Sequence, residues 1–399
     1  PRIYREHRYK RFPPHELLGT PVSGGNQLTP TWRNFLRVAH VPWLADHRVD
    51  SKVVFPGASY VTMAIEAIRQ LTDSSESSIS GYRLRDIDIT NALTIPETSA
   101  GVETQLCLRP CSDKELDHKG WYEFELCSVG PDDTWIQNCK GYVAVETVHP
   151  NKRTERQTVS ASSYWPAGEK AAPVDPESVF VSLRKMNFHH GPTFQNLLAS
   201  QAAGSRSITT MALSTVVPGI DEQNYVIHPT TLDSIVQSFY VDVPAEMKER
   251  AQVVPRSIGS MFVARDLKRR AGDTLHAFTE LIQADQRGTR SKAIVAHGLD
   301  ESTGYLEING FHFQAIPQDH GDDAGPEDKR LCSRMSWELD VLHNFPASLR
   351  DPLKIYLSEA EVDFEKRIRR ASYYLISDAV AELEGQSQDD WQWHHKIFY

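Results

Sequence analysis

The stretch Asp46–Gln70, DHRVDSKVVFPGASYVTMAIEAIRQ, constrains the fold of this chain more than any other. A histidine beside an aspartate leads into a short β-branched run, Val53-Val54-Phe55, and Pro56-Gly57 then opens a long periodic segment. Tyr60, Val61, Ala64, Ile65, Ala67, Ile68 and Leu71 recur at three- and four-residue steps, while Glu66, Arg69 and Gln70 fall elsewhere. That period belongs to a helix with one face made for burial. Proline at the first helical position gives up only an amide that would be unpaired anyway, so the helix is expected to start at Pro56. Gly57, just inside, leaves backbone amides uncovered at the positive end of the helix dipole, where a carbonyl oxygen can be polarised. A candidate base, His47, and a candidate oxyanion site thus lie close together. The plain alternative is a satisfied structural histidine followed by ordinary Pro-Gly punctuation, and local physics leaves both open.

The bulk numbers narrow the class. With 399 residues, 40% hydrophobic and 24% charged, the chain has material for two or three cores of a globular protein. A net charge of -10 argues against a general binder of nucleic acid or anionic membranes. No apolar run reaches transmembrane length, and the N-terminal PRIYREHRYKRF is basic without the apolar core of a signal peptide. A cytoplasmic protein is expected, and the first residue, which is not methionine, suggests a piece of a longer polypeptide. The five cysteines, at 107, 111, 127, 139 and 332, form no CxxC pair, so neither a disulfide framework nor a zinc site is indicated. His189-His190 and His394-His395 are neighbours on the chain with no carboxylate at ligand spacing, so no metal is expected.

In order along the chain, residues 1–14 read as a basic linker ending in Pro13-Pro14. Strands are expected at Thr31–His40, Tyr82–Ile95, Val102–Leu108, Trp121–Ser128 and Thr134–Thr147, with a serine-rich loop after the helix. The polar stretch 151–173 reads as a linker. The outline then repeats: a helix over Pro176–Met186, strands near Phe194–Gln201 and Ser207–Ser214, a second helix launched by His228-Pro229, and strands at Gln252–Val263, Thr274–Gln283, Ser291–Leu299 and Gly304–Ile316. The expected fold is therefore α+β, a double hotdog of two units (15–150 and 174–318), each a curved antiparallel sheet wrapping a long helix. An acidic linker at 319–332 precedes a helical segment, 333–399, in which Phe364, Ile368, Ala371, Tyr374, Leu375, Ala379 and Leu383 form an apolar stripe that needs a partner.

On the second helix Asp233 and Gln237 lie four residues apart and share a face. Leu232, Ile235, Val236, Phe239 and Tyr240 make the surroundings apolar, which disfavours a charged carboxylate and favours a proton donor, while the helix N-terminus opposes that shift. The plain alternative is first-turn capping chemistry.

Several ordered motifs resemble the dehydratase domains of polyketide synthases, in particular those of fungal highly reducing synthases. HELLG at His15–Gly19 is similar to their HxLLG entry strand. His47 with Pro56 resembles HxxxGxxxxP, with Ser51 where the family has glycine. His190-Gly191-Pro192-Thr193-Phe194 resembles YGPxF, with His190 in place of tyrosine. His228-Pro229, Leu232-Asp233 and Gln237 resemble HPxxLDxxxQ. The segment from Asp363 resembles the lead-in to the C-methyltransferase that follows such dehydratases, without a glycine-rich cofactor loop.

The resemblance implies loss of water from a (3R)-hydroxyacyl thioester on the phosphopantetheine of an acyl carrier protein, giving a trans-2-enoyl thioester. It makes His47 the base, Asp233 the acid and the Gly57 amide the oxyanion donor, with Pro56, Gln237, His190, Pro192 and Phe194 supporting the site or the substrate. No metal or organic cofactor is implied, and the partners are the carrier protein and other domains of a homodimeric multifunctional synthase of secondary metabolism. Two other readings fit the same outline: a product-template cyclase domain, also a double hotdog with a His/Asp pair, and a degenerate dehydratase-like scaffold marked by Ser51 and His190.

Overall fold

The computed structural model describes residues 13–22, 28–72, 79–111, 120–147, 156–166, 168–217, 225–317 and 358–383. Most of the basic and acidic linkers, Cys332 and His394-His395 lie outside the described residues. Residues 1–320 group as one compact unit and 321–399 as another.

The N-terminal half comprises β1 (Thr20–Pro21), β2 (Thr31–Leu36), β3 (His47–Val49), β4 (Lys52–Val53), helix α1 (Gly57–Thr72), β5 (Ile79–Ile89), β6 (Val102–Pro110), β7 (Trp121–Val129) and β8 (Trp135–Thr147). The stretch 151–173 carries β9 (Thr158–Val159), a short α2 (Ala161–Tyr164) and the start of β10 (Ala172–Val174). The C-terminal half continues with α3 (Pro176–Lys185), β11 (Phe188–His190), β12 (Leu197–Ala203), β13 (Arg206–Ala212), α4 (Pro229–Asp242), α5 (Ala245–Arg250), β14 (Ala251–Ala264), β15 (Thr274–Asp285), β16 (Gly288–Ala296) and β17 (Ser302–Pro317).

The main sheet runs β1-β2-β6-β7-β8-β5-β14-β17-β16-β15-β13-β12-β10, with all its pairings antiparallel. The order contains the same arrangement twice. After α1 the strands lie as β6-β7-β8-β5, and after α4 as β15-β16-β17-β14, with the strand that leaves each helix innermost. Those two innermost strands pair with each other, Ile258 opposite Ile87 and Met261 opposite Leu84. One continuous sheet results, a double hotdog with a helix in each half.

Alternation explains the strands: β6 buries Val102, Thr104, Leu106 and Leu108 while turning Glu103, Gln105 and Cys107 outward. The expected strand Tyr82–Ile95 starts earlier, at Ile79, and ends at Ile89, because Phe55 and Val53 bond to the backbone of Leu93 and Ile95 and draw the chain out of the sheet. Pro192–Phe194 forms a 3-10 turn, so the strand expected from Phe194 starts at Leu197. Pro56 sits one residue before α1, its carbonyl accepting the Ser59 amide.

The one-sided face expected for α1 is a correction: the helix is buried nearly all round, with Glu66 fully buried and Gln70 buried as well. The other half and β2 cover the polar side between them. Glu66 accepts the Val226 amide at 2.8 Å and pairs with Arg69 at 2.8 Å, and Thr62 donates to the Ile227 carbonyl at 3.3 Å. Gln70 accepts from the Trp32 indole at 2.8 Å. Each bond relieves desolvation of a buried polar group, and burial still pushes the Glu66 carboxyl up to about 7.

In the second unit α6 (Glu359–Leu383) is a 25-residue helix on which Phe364, Ile368, Tyr374 and Leu375 are exposed. No described helix is long and apolar enough to cross a membrane.

Candidate active site

A small second sheet, β11-β3-β4, joins the two halves over the helices. Its antiparallel register puts His190 directly opposite His47, so the two rings stand on one face. Their centroids are 5.1 Å apart, edge to face, and Phe194 packs against both, at 5.3 Å from His47 and 6.0 Å from His190.

Asp46 anchors this junction. Its carboxylate accepts the Thr193 amide at 3.1 Å and hydroxyl at 2.9 Å, and its carbonyl accepts the Gly191 amide at 2.7 Å. A Cβ on Gly191 would stand 2.3 Å from the Asp46 carboxylate, which explains glycine there by close approach rather than by backbone conformation. Asp46, Thr193 and Gly191 were not singled out from sequence as positioning residues. The available signal was the acidic neighbour of His47.

The β3–β4 hairpin closes through Asp50-Ser51, with φ of +47° and +66°. Two left-handed residues make the turn that matches the twist of paired strands, and they favour glycine. Ser51 therefore occupies the strained position at which the resemblance has glycine. Ser51→Gly is expected to stabilise the fold by about 0.5–1 kcal/mol, the left-handed penalty less the entropy of glycine. Chemical denaturation measures it, and an unchanged midpoint would show that the turn carries no strain.

His47 is 9% exposed, and its Nδ1 lies 2.7 Å from the Val54 carbonyl. A carbonyl only accepts, so Nδ1 carries the proton and Nε2 presents its lone pair. Asp233 reaches the same place from α4. It is the fifth residue of that helix and does not cap it; the cap is His228, whose Nδ1 accepts the Thr230 amide at 3.2 Å.

Asp233 Oδ2 accepts from Gln237 Nε2 at 2.8 Å and stands 3.8 Å from His190 Nε2. Burial raises the Asp233 carboxyl above its ordinary value, against the opposing effects of His47 and the Gln237 bond. The competition between apolar surroundings and stabilising partners is thus decided for burial. Burial also drives His190 well below the usual imidazole value, with His47 and His189 adding to the shift. One donor atom from each of His47, His190 and Asp233 lies within 4.8 Å of the others. The expectation that His190 lacks a nearby carboxylate fails in space, because the carboxylate comes from a distant helix.

These three residues line a cavity of about 500 Å³ with Gly57, Gln237 and mainly apolar side chains. Gly57 opens α1, and the helix offers its N–H no acceptor. Gln314 and Ile316 are exposed lining residues at the rim, beside Gln252 and Val254. Pro56 is buried behind Gly57, and Pro192 is exposed on the 3-10 turn; neither lines the cavity. Phe194 is buried against the imidazoles.

Two family models match the chain in order, one described as the polyketide synthase dehydratase domain over residues 15–128 and one as the polyketide synthase dehydratase N-terminal domain over residues 166–323. The highly reducing polyketide synthase pks5 of Leptosphaeria maculans is 43% identical over the whole chain, and the squalestatin tetraketide synthase clz2 of Cochliobolus lunatus is 36% identical over the whole chain. The chain spans 16% of the length of each. Among solved structures, the dehydratase domain from the CurF module of curacin polyketide synthase superposes with a TM-score of 0.62 at 19% identity, covering 76% of this chain and all of that one. Inactive mutants of the CurK dehydratase, one with an aspartate changed to asparagine (TM-score 0.61) and one with a histidine changed to phenylalanine (TM-score 0.60), superpose at 17% identity, each covering 76% of this chain and 98% of that one. Matched in both halves of its sheet and along its full length by fungal synthases, this chain belongs to the polyketide synthase dehydratase family.

Proposed function

We propose that this domain is a hydro-lyase that removes water from a (3R)-hydroxyacyl thioester held on the phosphopantetheine arm of an acyl carrier protein, leaving a trans-2-enoyl thioester. The observation that carries the reading is His47, its Nδ1 proton held by Val54, facing a buried Asp233 across one cavity with donor atoms within 4.8 Å. The inactive CurK dehydratase mutants, which alter one aspartate and one histidine, agree with such a pair.

In the proposed reaction His47 Nε2 takes the α-proton, and the C–H electron pair becomes the Cα=Cβ bond as the β C–O bond breaks. Asp233, whose proton affinity burial raises, gives its proton in the acid form to the departing hydroxyl, which leaves as water. Enolate-like charge on the thioester oxygen is met by the Gly57 amide; such a donor is worth roughly 3–4 kcal/mol. After the step an imidazolium faces a carboxylate, and proton return resets both. Gln237 holds Asp233 through Oδ2, Phe194 fixes the imidazole planes, and His190 stands where it can hydrogen-bond the substrate oxygen. Pro56 and Pro192 act by shaping the turns that present Gly57 and His190. The chemistry as written needs no organic cofactor or metal.

The test is incubation with a (3R)-3-hydroxyacyl pantetheine or carrier-protein thioester and mass spectrometry of the product. Loss of one water is expected for the (3R) substrate. Binding without mass loss would overturn the enzymatic reading in favour of a scaffold, and cyclisation of a polyketone in its place would favour the cyclase.

A further inference from the structure

We propose that His47, His190 and Asp233 together form a three-donor binding site for a zinc-like divalent cation inside the cavity. The inference rests on a spatial relation between distant parts of the chain. β3 supplies one imidazole, β11 the second and α4 the carboxylate, and their donor atoms lie within 4.8 Å of one another, with His190 Nε2 at 3.8 Å from Asp233 Oδ2. Around a tetrahedral zinc ion, donors bonded at about 2.0–2.2 Å stand roughly 3.4 Å apart. The present separations, 3.8 Å between His190 and Asp233 and at most 4.8 Å overall, exceed that spacing by no more than about 1.4 Å.

The donors are already oriented as ligands are. The Val54 carbonyl holds the Nδ1 proton of His47 and aims the Nε2 lone pair into the cavity, the arrangement by which an outer hydrogen bond fixes a metal-binding imidazole. Gln237 holds the Asp233 carboxylate in the same way. His190 Nδ1 is buried with no hydrogen-bond partner among the described residues, so the ring can turn without losing a bond. The basic side chain in the lining, Arg256, is tied to Asp88 at 3.2 Å.

Two imidazoles and one carboxylate suit borderline cations such as zinc and cobalt and not magnesium or calcium, which prefer oxygen ligands. A fourth position would face the roughly 500 Å³ cavity, which is large enough for water. The consequence for turnover rests on the dehydratase reading: a bound cation occupies the lone pair of the base and the oxygen of the acid. Binding itself does not rest on it.

The test uses the full chain without substrate. Cobalt(II) is titrated and followed by the visible absorption of a tetrahedral centre, and zinc stoichiometry is taken by calorimetry. One cation per chain is expected, unaffected by excess magnesium. Gln237→Leu is expected to weaken affinity about 10- to 100-fold, and His190→Phe and Asp233→Asn are expected to abolish the cobalt band, with circular dichroism confirming that each variant is folded. A wild-type chain without the band, or a band unchanged in the folded His190→Phe and Asp233→Asn variants, would overturn the site. A chain that dehydrates but binds no cobalt refutes only the metal site, and one that binds cobalt but does not dehydrate refutes only the catalytic reading.

Discussion

His47→Ala is expected to lower kcat/KM for water loss by about 10²- to 10⁴-fold, the range supplied by a positioned general base. The loss should fall mainly on kcat, because the cavity lining is mainly apolar and would supply most of the binding of an acyl chain. His47 has its Nδ1 proton tied to a backbone carbonyl, which leaves Nε2 free as a base, and it lies within 4.8 Å of Asp233 by donor atom. Removing the ring also empties space beside Phe194 and His190, so thermal melting of the variant belongs beside the kinetics. A folded His47→Ala chain that turns over a hydroxyacyl pantetheine at the wild-type rate would remove His47 from the mechanism.

Asp233→Asn is expected to reduce turnover by a similar 10²- to 10⁴-fold, because an amide of the same shape cannot donate the proton. It should also stabilise the fold at neutral pH. The carboxyl is raised in the native state above its ordinary value of 3.8, so over that interval the folded chain holds a proton which the unfolded chain has released. Wild-type stability from this group is therefore full below pH 3.8 and is lost as pH rises through the native pKa. The asparagine variant carries no such loss. Melting temperatures of the two proteins should diverge as pH rises from about 4 and then run parallel. The wild-type rate should fall on the alkaline side as Asp233 ionises. An Asp233→Asn chain that is active, or whose stability gap to wild type ignores pH, would contradict a buried proton donor.

The asparagine variant would then be more stable and less active, which is the usual relation between a strained site and its function. Ser51 is a different case, because its strain lies in a hairpin turn and the residue does not line the cavity.

Local pattern made much of this protein legible. The alternation along β6 and the period of α1 predicted their elements, the internal repetition predicted two like halves, and the motifs around His47 and Asp233 marked the residues that meet. Two errors share one cause. Glu66 and Gln70 looked like an exposed face and are buried, and His190 looked remote from any carboxylate and lies 3.8 Å from one. In each case the partner lies far along the chain: Val226 for Glu66, Trp32 for Gln70 and Asp233 for His190. Periodicity reports how a segment sorts its own side chains and carries no information on what a distant segment lays against them.

Sequence alone determined the element types, the duplication and the identity of the chemical groups, because those follow from short-range sterics and side-chain patterning. Only the tertiary structure decided that β3 pairs with β11, that the halves share one sheet through β5 and β14, and that burial raises the proton affinity of Asp233. Proton affinity depends on the dielectric and charges within a few ångströms, and those neighbours are assembled from residues far apart along the chain.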